Sequence, residues 1–115
     1  MLGRVSDTLA MLCSVEFLTT SGSTQIVAAI DTGFDGYMGL PATLVRELLL
    51  PFHSVGRCEL ADGTTVHLRR FRARIRWHGR ERVIIVVQAD GGPMIGSNLL
   101  RGSDLSIEVI PGGSL

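Results

Sequence analysis

The sequence predicts an all-β domain with one helix of any length, on three observations. Hydrophobic residues make up 45% of the chain while aromatics make up only 5%, so the core must be built from aliphatic side chains. Those side chains come in short runs broken by Gly-containing turns, the pattern of many short strands. Helical spacing of apolar residues is found in a single stretch. With 115 residues the chain fits one domain, residues 1–115, large enough to bury a core and too small for two copies of most enzyme architectures. It carries no internal repeat, linker or low-complexity region.

The first strand is expected over Met11 to Leu18. Thr20, Ser21 and Gly22 supply turn chemistry, and a second strand over Gln25 to Ile30 feeds directly into Asp31. After the glycine-bearing segment Gly33 to Gly39, a helix is expected over Ala42 to Leu50. Leu44, Val45, Leu48 and Leu49 recur at helical spacing, Pro41 suits a helix start and Pro51 closes it. Strand resumes at Val55 and turns at Ala61-Asp62-Gly63-Thr64. It continues as a long alternating segment in which Leu68, Phe71, Ala73, Ile75 and Trp77 mark the apolar positions, with Arg72, Arg74 and Arg76 opposite. His78 and Gly79 form a turn, and Val83 to Val87 is a continuous apolar strand. Asp90-Gly91-Gly92-Pro93 breaks it before Met94 and Ile95. A turn of helix at Ser97 to Leu100 and a last strand over Leu105 to Ile110 complete the pattern, and the tail from Pro111 to Leu115 is expected to be flexible.

Composition excludes several function classes. Eleven arginines balance eleven acidic residues for zero formal charge, so no global field draws the chain to nucleic acid or to an anionic membrane. No apolar run approaches the roughly 20 residues that span a bilayer, and the stretch Leu9 to Val15 is short and followed at once by Glu16, against a secretory signal or anchor. Cys13 and Cys58 are far apart, without a CxxC spacing, which suits reduced thiols in a cytoplasmic protein.

The sharpest feature is Asp31-Thr32-Gly33 at the end of an apolar strand, which sets a carboxylate at a tight turn emerging from a hydrophobic wall. Ordinary residue usage produces such a triplet in roughly two per cent of chains this long, and Asp and Gly also serve simply to turn a strand. A second element adds weight: Met94-Ile95-Gly96-Ser97-Asn98-Leu99-Leu100, two apolar residues, a glycine and a short helix leading toward a final strand. Together the two segments resemble the retropepsin family of aspartic peptidases, which carry Asp-Thr-Gly early and an apolar-apolar-Gly segment late. The likeness is closer still to small bacterial and archaeal members of that clan in which Phe follows the triplet, as in Ile30-Asp31-Thr32-Gly33-Phe34-Asp35-Gly36-Tyr37. It spans about Met11 to Ile110, including a helix after the triplet, a hairpin tipped by Ala61 to Thr65 and a long strand.

The resemblance implies a closed acid-protease barrel with one helix after the Asp-Thr-Gly turn and a short C-terminal helix. It implies a homodimer acting on a peptide or protein substrate, with no metal or organic cofactor. The chemistry needs two carboxylates sharing a site, so that like-charge repulsion keeps one protonated while the other is ionised. This chain has one such triplet, so the second carboxylate is expected from another copy through a two-fold axis, making Asp31, Thr32 and Gly33 the catalytic segment. By the same resemblance Thr32 bonds across the axis beneath the carboxylates and Gly33 admits the substrate backbone closely. Phe34 narrows the neighbouring space where many members have Ser or Ala, and Asp35 holds a substrate amide. Asp62 and Gly63 sit at the tip of a flap, where the charge disfavours acidic substrates, and Ile95 contributes to substrate binding. Met1 to Leu18 and Leu105 to Leu115 are expected to build much of the interface.

Other readings are weaker. Gly33, Gly36 and Gly39 between strand and helix fit neither GxGxxG nor GxxxxGK[ST], and Asp31 and Asp35 would repel a phosphate. Arg69 to Arg82 holds seven of the eleven arginines, interleaved with Phe71 and Trp77, yet an alternating charged strand is more often just solvated on one face, and no nucleic-acid partner is expected. His53, His67 and His78 lack metal spacing, and no Ser lies in a nucleophile elbow. Cys58 has Arg57 alone as a basic neighbour, so both cysteines read as structural. Leu44, Leu48 and Leu49 are expected to cover the open side of the barrel rather than to bind a partner. The rival from a different class is a retropepsin-like module that dimerises or binds peptide without cutting.

Overall fold

The computed structural model describes residues 3–6, 10–59, 62–103 and 110–114. The chain is mostly strand: β1 (Gly3–Val5), β2 (Met11–Thr19), β3 (Gly22–Ile30), β4 (Met38–Leu40), β5 (Phe52–Glu59), β6 (Thr65–Trp77), β7 (Arg80–Gln88) and β8 (Met94–Ile95). Two short helices, α1 (Ala42–Glu47) and α2 (Ser97–Leu100), complete it. The strands form one sheet in the order β1-β2-β3-β8-β4-β7-β6-β5. Glu16, Phe17 and Leu18 of β2 also pair with Arg76, Ile75 and Arg74 of β6. That pairing turns the sheet back on itself so that it nearly closes, with β1 and β5 as outlying strands.

The alternation read from the sequence decides which face closes inward. Cys13, Val15 and Phe17 of β2 are buried beside Ile26, Ala28 and Ile30 of β3, in a register that sets Val15 opposite Ile26 and Cys13 opposite Ala28. Phe71, Ala73, Ile75 and Trp77 of β6 are buried while Arg72, Arg74 and Arg76 are exposed. Burying a large aliphatic or aromatic side chain contributes roughly 1.5–3 kcal/mol, so a slip by one residue, which would turn this whole set to solvent, is strongly disfavoured. Two of these exposed arginines find partners at the surface: Arg74 Nε donates to Glu81 Oε1 at 2.6 Å and Arg76 Nε to Glu16 Oε2 at 3.3 Å.

Leu68 departs from the expectation. Being three residues from Phe71 it lies on the other face, with Arg70, because the period of a strand is two. At the hairpin end of β6 that other face is half-buried. The turn after β6 is as expected: Trp77 pairs with Arg80, and His78 and Gly79 both have positive φ, 51° and 74°, the two-residue geometry whose twist matches the flanking strands.

The helix is shorter than its spacing suggests. α1 stops at Glu47 and Pro41 is its N-cap. Leu48 is buried and Leu44 packs against the core, but Leu49 adopts φ 53° and is 82% exposed. It therefore covers nothing, because the chain leaves helical geometry before reaching it.

Strand assignments differ elsewhere too. β1 and β4 are strands of three residues, too short to show a period, and β3, β5 and β7 begin at Gly22, Phe52 and Arg80 rather than at Gln25, Val55 and Val83. Residues 105–109 of the expected last strand lie outside the described residues. The tail itself is bonded rather than free: Val5 N–H donates to Gly113 O and Gly112 N–H to Val5 O, each at 2.8 Å, and Gly113 is buried. It packs because β1 is an outer strand whose free edge accepts and donates these bonds.

Candidate functional site

β8 is only two residues long, yet it organises the site. It runs parallel to the end of β3, Ala29 beside Met94 and Ile30 beside Ile95, and antiparallel to β4, Met38 opposite Ile95. Both segments singled out in the sequence thus lie side by side, and Asp31 N–H donates to Ile95 O at 2.9 Å. Beyond this point the β3 chain has no further ladder and turns: Phe34 N–H donates to Asp31 O at 3.1 Å, and Gly33 N–H to Asp31 Oδ1 at 3.0 Å. Asp31, Thr32 and Gly33 are all exposed. The carboxylate is oriented by the turn it begins, an Asx turn, and it stands in solvent rather than in the core.

The loop of residues 34–37 is stapled to the start of α2. Gly96 N–H donates to Tyr37 O at 2.9 Å, Ser97 N–H to Phe34 O at 2.8 Å and Asn98 N–H to Gly36 O at 3.1 Å. Ser97 Oγ–H donates to Phe34 O as well, at 3.2 Å. The approach is close because position 96 has no side chain. A Cβ there would lie deep inside contact distance of Gly36 O, and at 2.7 Å from Phe34 Cδ2 and 2.8 Å from Phe34 O. Phe34 thus folds its ring into the space that Gly36 and Gly96 leave open, so the bulk after the triplet is partly absorbed by the two glycines.

A cavity of about 330 Å³ opens beside this loop. One wall is Phe34, Asp35, Gly36, Tyr37 and Asn98; the other comes from the β5–β6 hairpin and β7, with Gly56, Arg57, Cys58, Leu68, Arg70, Ile85 and Val87. Phe34 and Asp35 thus line a concave surface, whereas Asp31, Thr32 and Gly33, which precede them in the same turn, are not part of its lining. Asp62 and Gly63 do not line it; they form the hairpin tip, where Gly63 has φ 86° and Asp62 Oδ1 accepts from Thr64 N–H at 3.0 Å and Thr64 Oγ1–H at 2.6 Å. Those two bonds, the hydroxyl's first, hold the Asp62 carboxyl below its ordinary range. The expected role of Ile95 is corrected. It has no exposed surface and belongs to the core, since successive residues of a strand face opposite ways. Met94 is the half-exposed member of the pair, lying over Gly39.

Sequence reading missed Arg57, Cys58, Leu68 and Arg70 as cavity residues. Among the described residues, no three His, Cys, Asp or Glu side chains stand together so as to hold a metal ion. Cys13 is buried, which pushes its thiol up from the ordinary value, whereas Cys58 is exposed; both are free thiols. Neither a protein-family model nor a curated protein sequence matches the chain. No helix among the described residues is long and apolar enough to cross a membrane.

Proposed function

We propose that this chain is one subunit of a homodimeric aspartic endopeptidase of the retropepsin type, with Asp31 of each subunit forming the catalytic pair. The observation that supports this reading most is the placement of Asp31. An exposed carboxylate stands on a turn clamped from behind by β8 and Gly96, and the residues that follow it, Phe34 to Tyr37, line a cavity large enough for substrate side chains. Within one subunit that carboxylate accepts from Gly33 N–H, and a second carboxylate must come from outside for the pair to exist.

In such a pair the ionised carboxylate takes a proton from a water molecule, whose oxygen attacks the peptide carbonyl carbon. The protonated partner donates a hydrogen bond to the developing oxyanion, and a proton passes to the leaving amine as the C–N bond breaks. Because the two groups titrate as a unit, the rate should be bell-shaped in pH between two macroscopic values.

The test is cleavage of a mixed peptide library by the purified protein from acid to neutral pH, with Asp31→Asn alongside and sedimentation at micromolar concentration. The expected result is cutting by the parent alone, from a dimer. A strictly monomeric protein, or a variant that cuts as well as the parent, overturns the proposal. Dimerisation with peptide binding and no cutting favours the non-catalytic module instead.

A further inference from the structure

We propose that Arg70 makes the cavity beside Asp31 a receptor for a carboxylate on the bound peptide. The inference rests on the peptidase reading above only in taking a peptide as the occupant; what carries it is the way the guanidinium is built into the wall. Arg70 is partly buried on β6 and its Nε donates to Ser54 Oγ of the paired strand at 2.9 Å. The side chain lies across Gly56, where an added Cβ would come within 2.9 Å of Nε and 3.1 Å of Cζ. The bond to Ser54 and the contact with the bare backbone at Gly56 thus hold the fork against β5, and among the described residues neither Nη group has an acceptor. An arginine held in this way recognises a carboxylate through two parallel hydrogen bonds, which a lysine in the same place does not.

The charges around it favour the same occupant. The cavity lining holds Arg57 and Arg70 against Asp35 alone, a net single positive charge. Among the described residues the ion pairs are Arg74 with Glu81 and Arg76 with Glu16, so neither cavity arginine is within 4 Å of Asp35. The remaining lining is largely apolar, with Phe34, Leu68, Ile85 and Val87. A methylene-bearing acidic side chain fits that combination, its stem against the apolar wall and its head at Arg70. The repulsive charge at Asp62 belongs to the hairpin tip and is not part of this lining. A peptide carries such a group either as a Glu or Asp side chain or as its own C-terminus.

The experiment uses the full-length Asp31→Asn protein, so that the probe is not consumed, and fluorescein-labelled octapeptides read by polarisation. Each peptide is made with Glu or with Gln at each position in turn, as the C-terminal amide, and once with Gln throughout and a free C-terminal carboxylate. The expected result is a preference of about tenfold or more for one carboxylate-bearing member over its neutral twin. Arg70→Gln should abolish that preference. Gly56→Ala should weaken it by displacing the fork at unchanged charge, which guards against misfolding of the first variant. The position of the favoured Glu, or of the free C-terminus, identifies which source the site takes. Equal affinity for Glu and Gln peptides, a preference that survives Arg70→Gln, or no peptide binding at all overturns the proposal. Cleavage by the parent protein is scored separately. Cutting without regard to carboxylates sinks the carboxylate site alone, and selective binding without cutting sinks the peptidase reading alone.

Discussion

In the Gly96→Ala variant a methyl group is asked to occupy space already held by backbone. The new Cβ would overlap Gly36 O and crowd Phe34 O at 2.8 Å and the Phe34 ring at 2.7 Å. A ring can rotate away, but two carbonyls that are themselves hydrogen-bond acceptors cannot. Relief requires the loop of residues 34–37 to lift from α2, which breaks the bonds from Gly96, Ser97 and Asn98 N–H to Tyr37, Phe34 and Gly36 O. Three backbone bonds at about 0.5–1.5 kcal/mol each plus an overpacking cost of about 1–3 kcal/mol give a loss of roughly 2.5–7.5 kcal/mol, a range that reaches the most damaging single changes. Gly36→Ala provides the control, since its Cβ would strike only the Phe34 ring. Phe34→Ala should therefore rescue Gly36→Ala, with a coupling above about 1 kcal/mol, and should not rescue Gly96→Ala. Urea unfolding followed by the fluorescence of Trp77, the single tryptophan and a buried one, measures the parent and each single and double variant at one fixed concentration. A Gly96→Ala protein within about 1 kcal/mol of the parent, or one rescued by Phe34→Ala, refutes the account of how the loop is held.

Further measurements bear on other parts of the structure. Leu49→Gly should raise stability by about 0.5–1 kcal/mol, since relief of a left-handed backbone, about 1–2 kcal/mol, outweighs glycine's entropic cost of about 0.5–1 kcal/mol and the side chain is 82% exposed; a lower urea midpoint contradicts this. Thr64→Val removes the hydroxyl that chiefly lowers Asp62. Its carboxyl pKa, read by NMR titration, should move up. A lowered carboxyl stabilises above the ordinary Asp range and loses that effect as pH falls through its folded pKa. The destabilisation by Thr64→Val should accordingly be seen at neutral pH and vanish in acid. An aromatic disulfide reagent near pH 8 should modify Cys58 rapidly and Cys13 only on unfolding. Burial keeps Cys13 protonated past the ordinary thiol value, so its contribution to stability falls away as pH rises beyond about 8.5. Two fast thiols would contradict the burial of Cys13.

What could be read in advance was whatever repeats. The buried set Phe71, Ala73, Ile75 and Trp77 follows from a period of two sustained over four positions, and the His78-Gly79 turn from two strands that flank it. Asp31 was singled out because a short motif sits at the end of an apolar run. What escaped was whatever depends on a partner in space. Two residues of β8 carry no period to say which one faces the core, and Ile95, assigned to substrate binding from the resemblance, is the buried one. Arg70 reaches the cavity through its neighbours Ser54 and Gly56 across a register that shifts between Phe52 and Ser54, and no local pattern reports such a shift. The left-handed Leu49 was hidden by the regular spacing of the leucines before it.

The clamp on the Asp31 loop also sets a timetable. Phe34 O receives its bonds from Ser97, 63 residues later in the chain, and β8 must arrive before β3 and β4 are bridged. Contacts of such long range form late, after the loop-closure entropy has been met. At roughly 5–20 residues per second of synthesis, several seconds separate the emergence of Asp31 from that of the segment that clamps its turn. During that interval β2 and β3 can pair as a local hairpin while the turn that carries the carboxylate has nothing to clamp it from behind. A chain shortened before residue 94 would keep the Asp-Thr-Gly triplet and lack the geometry that gives it meaning. The order of assembly itself delays the moment at which a newly made chain can present an organised loop after Asp31.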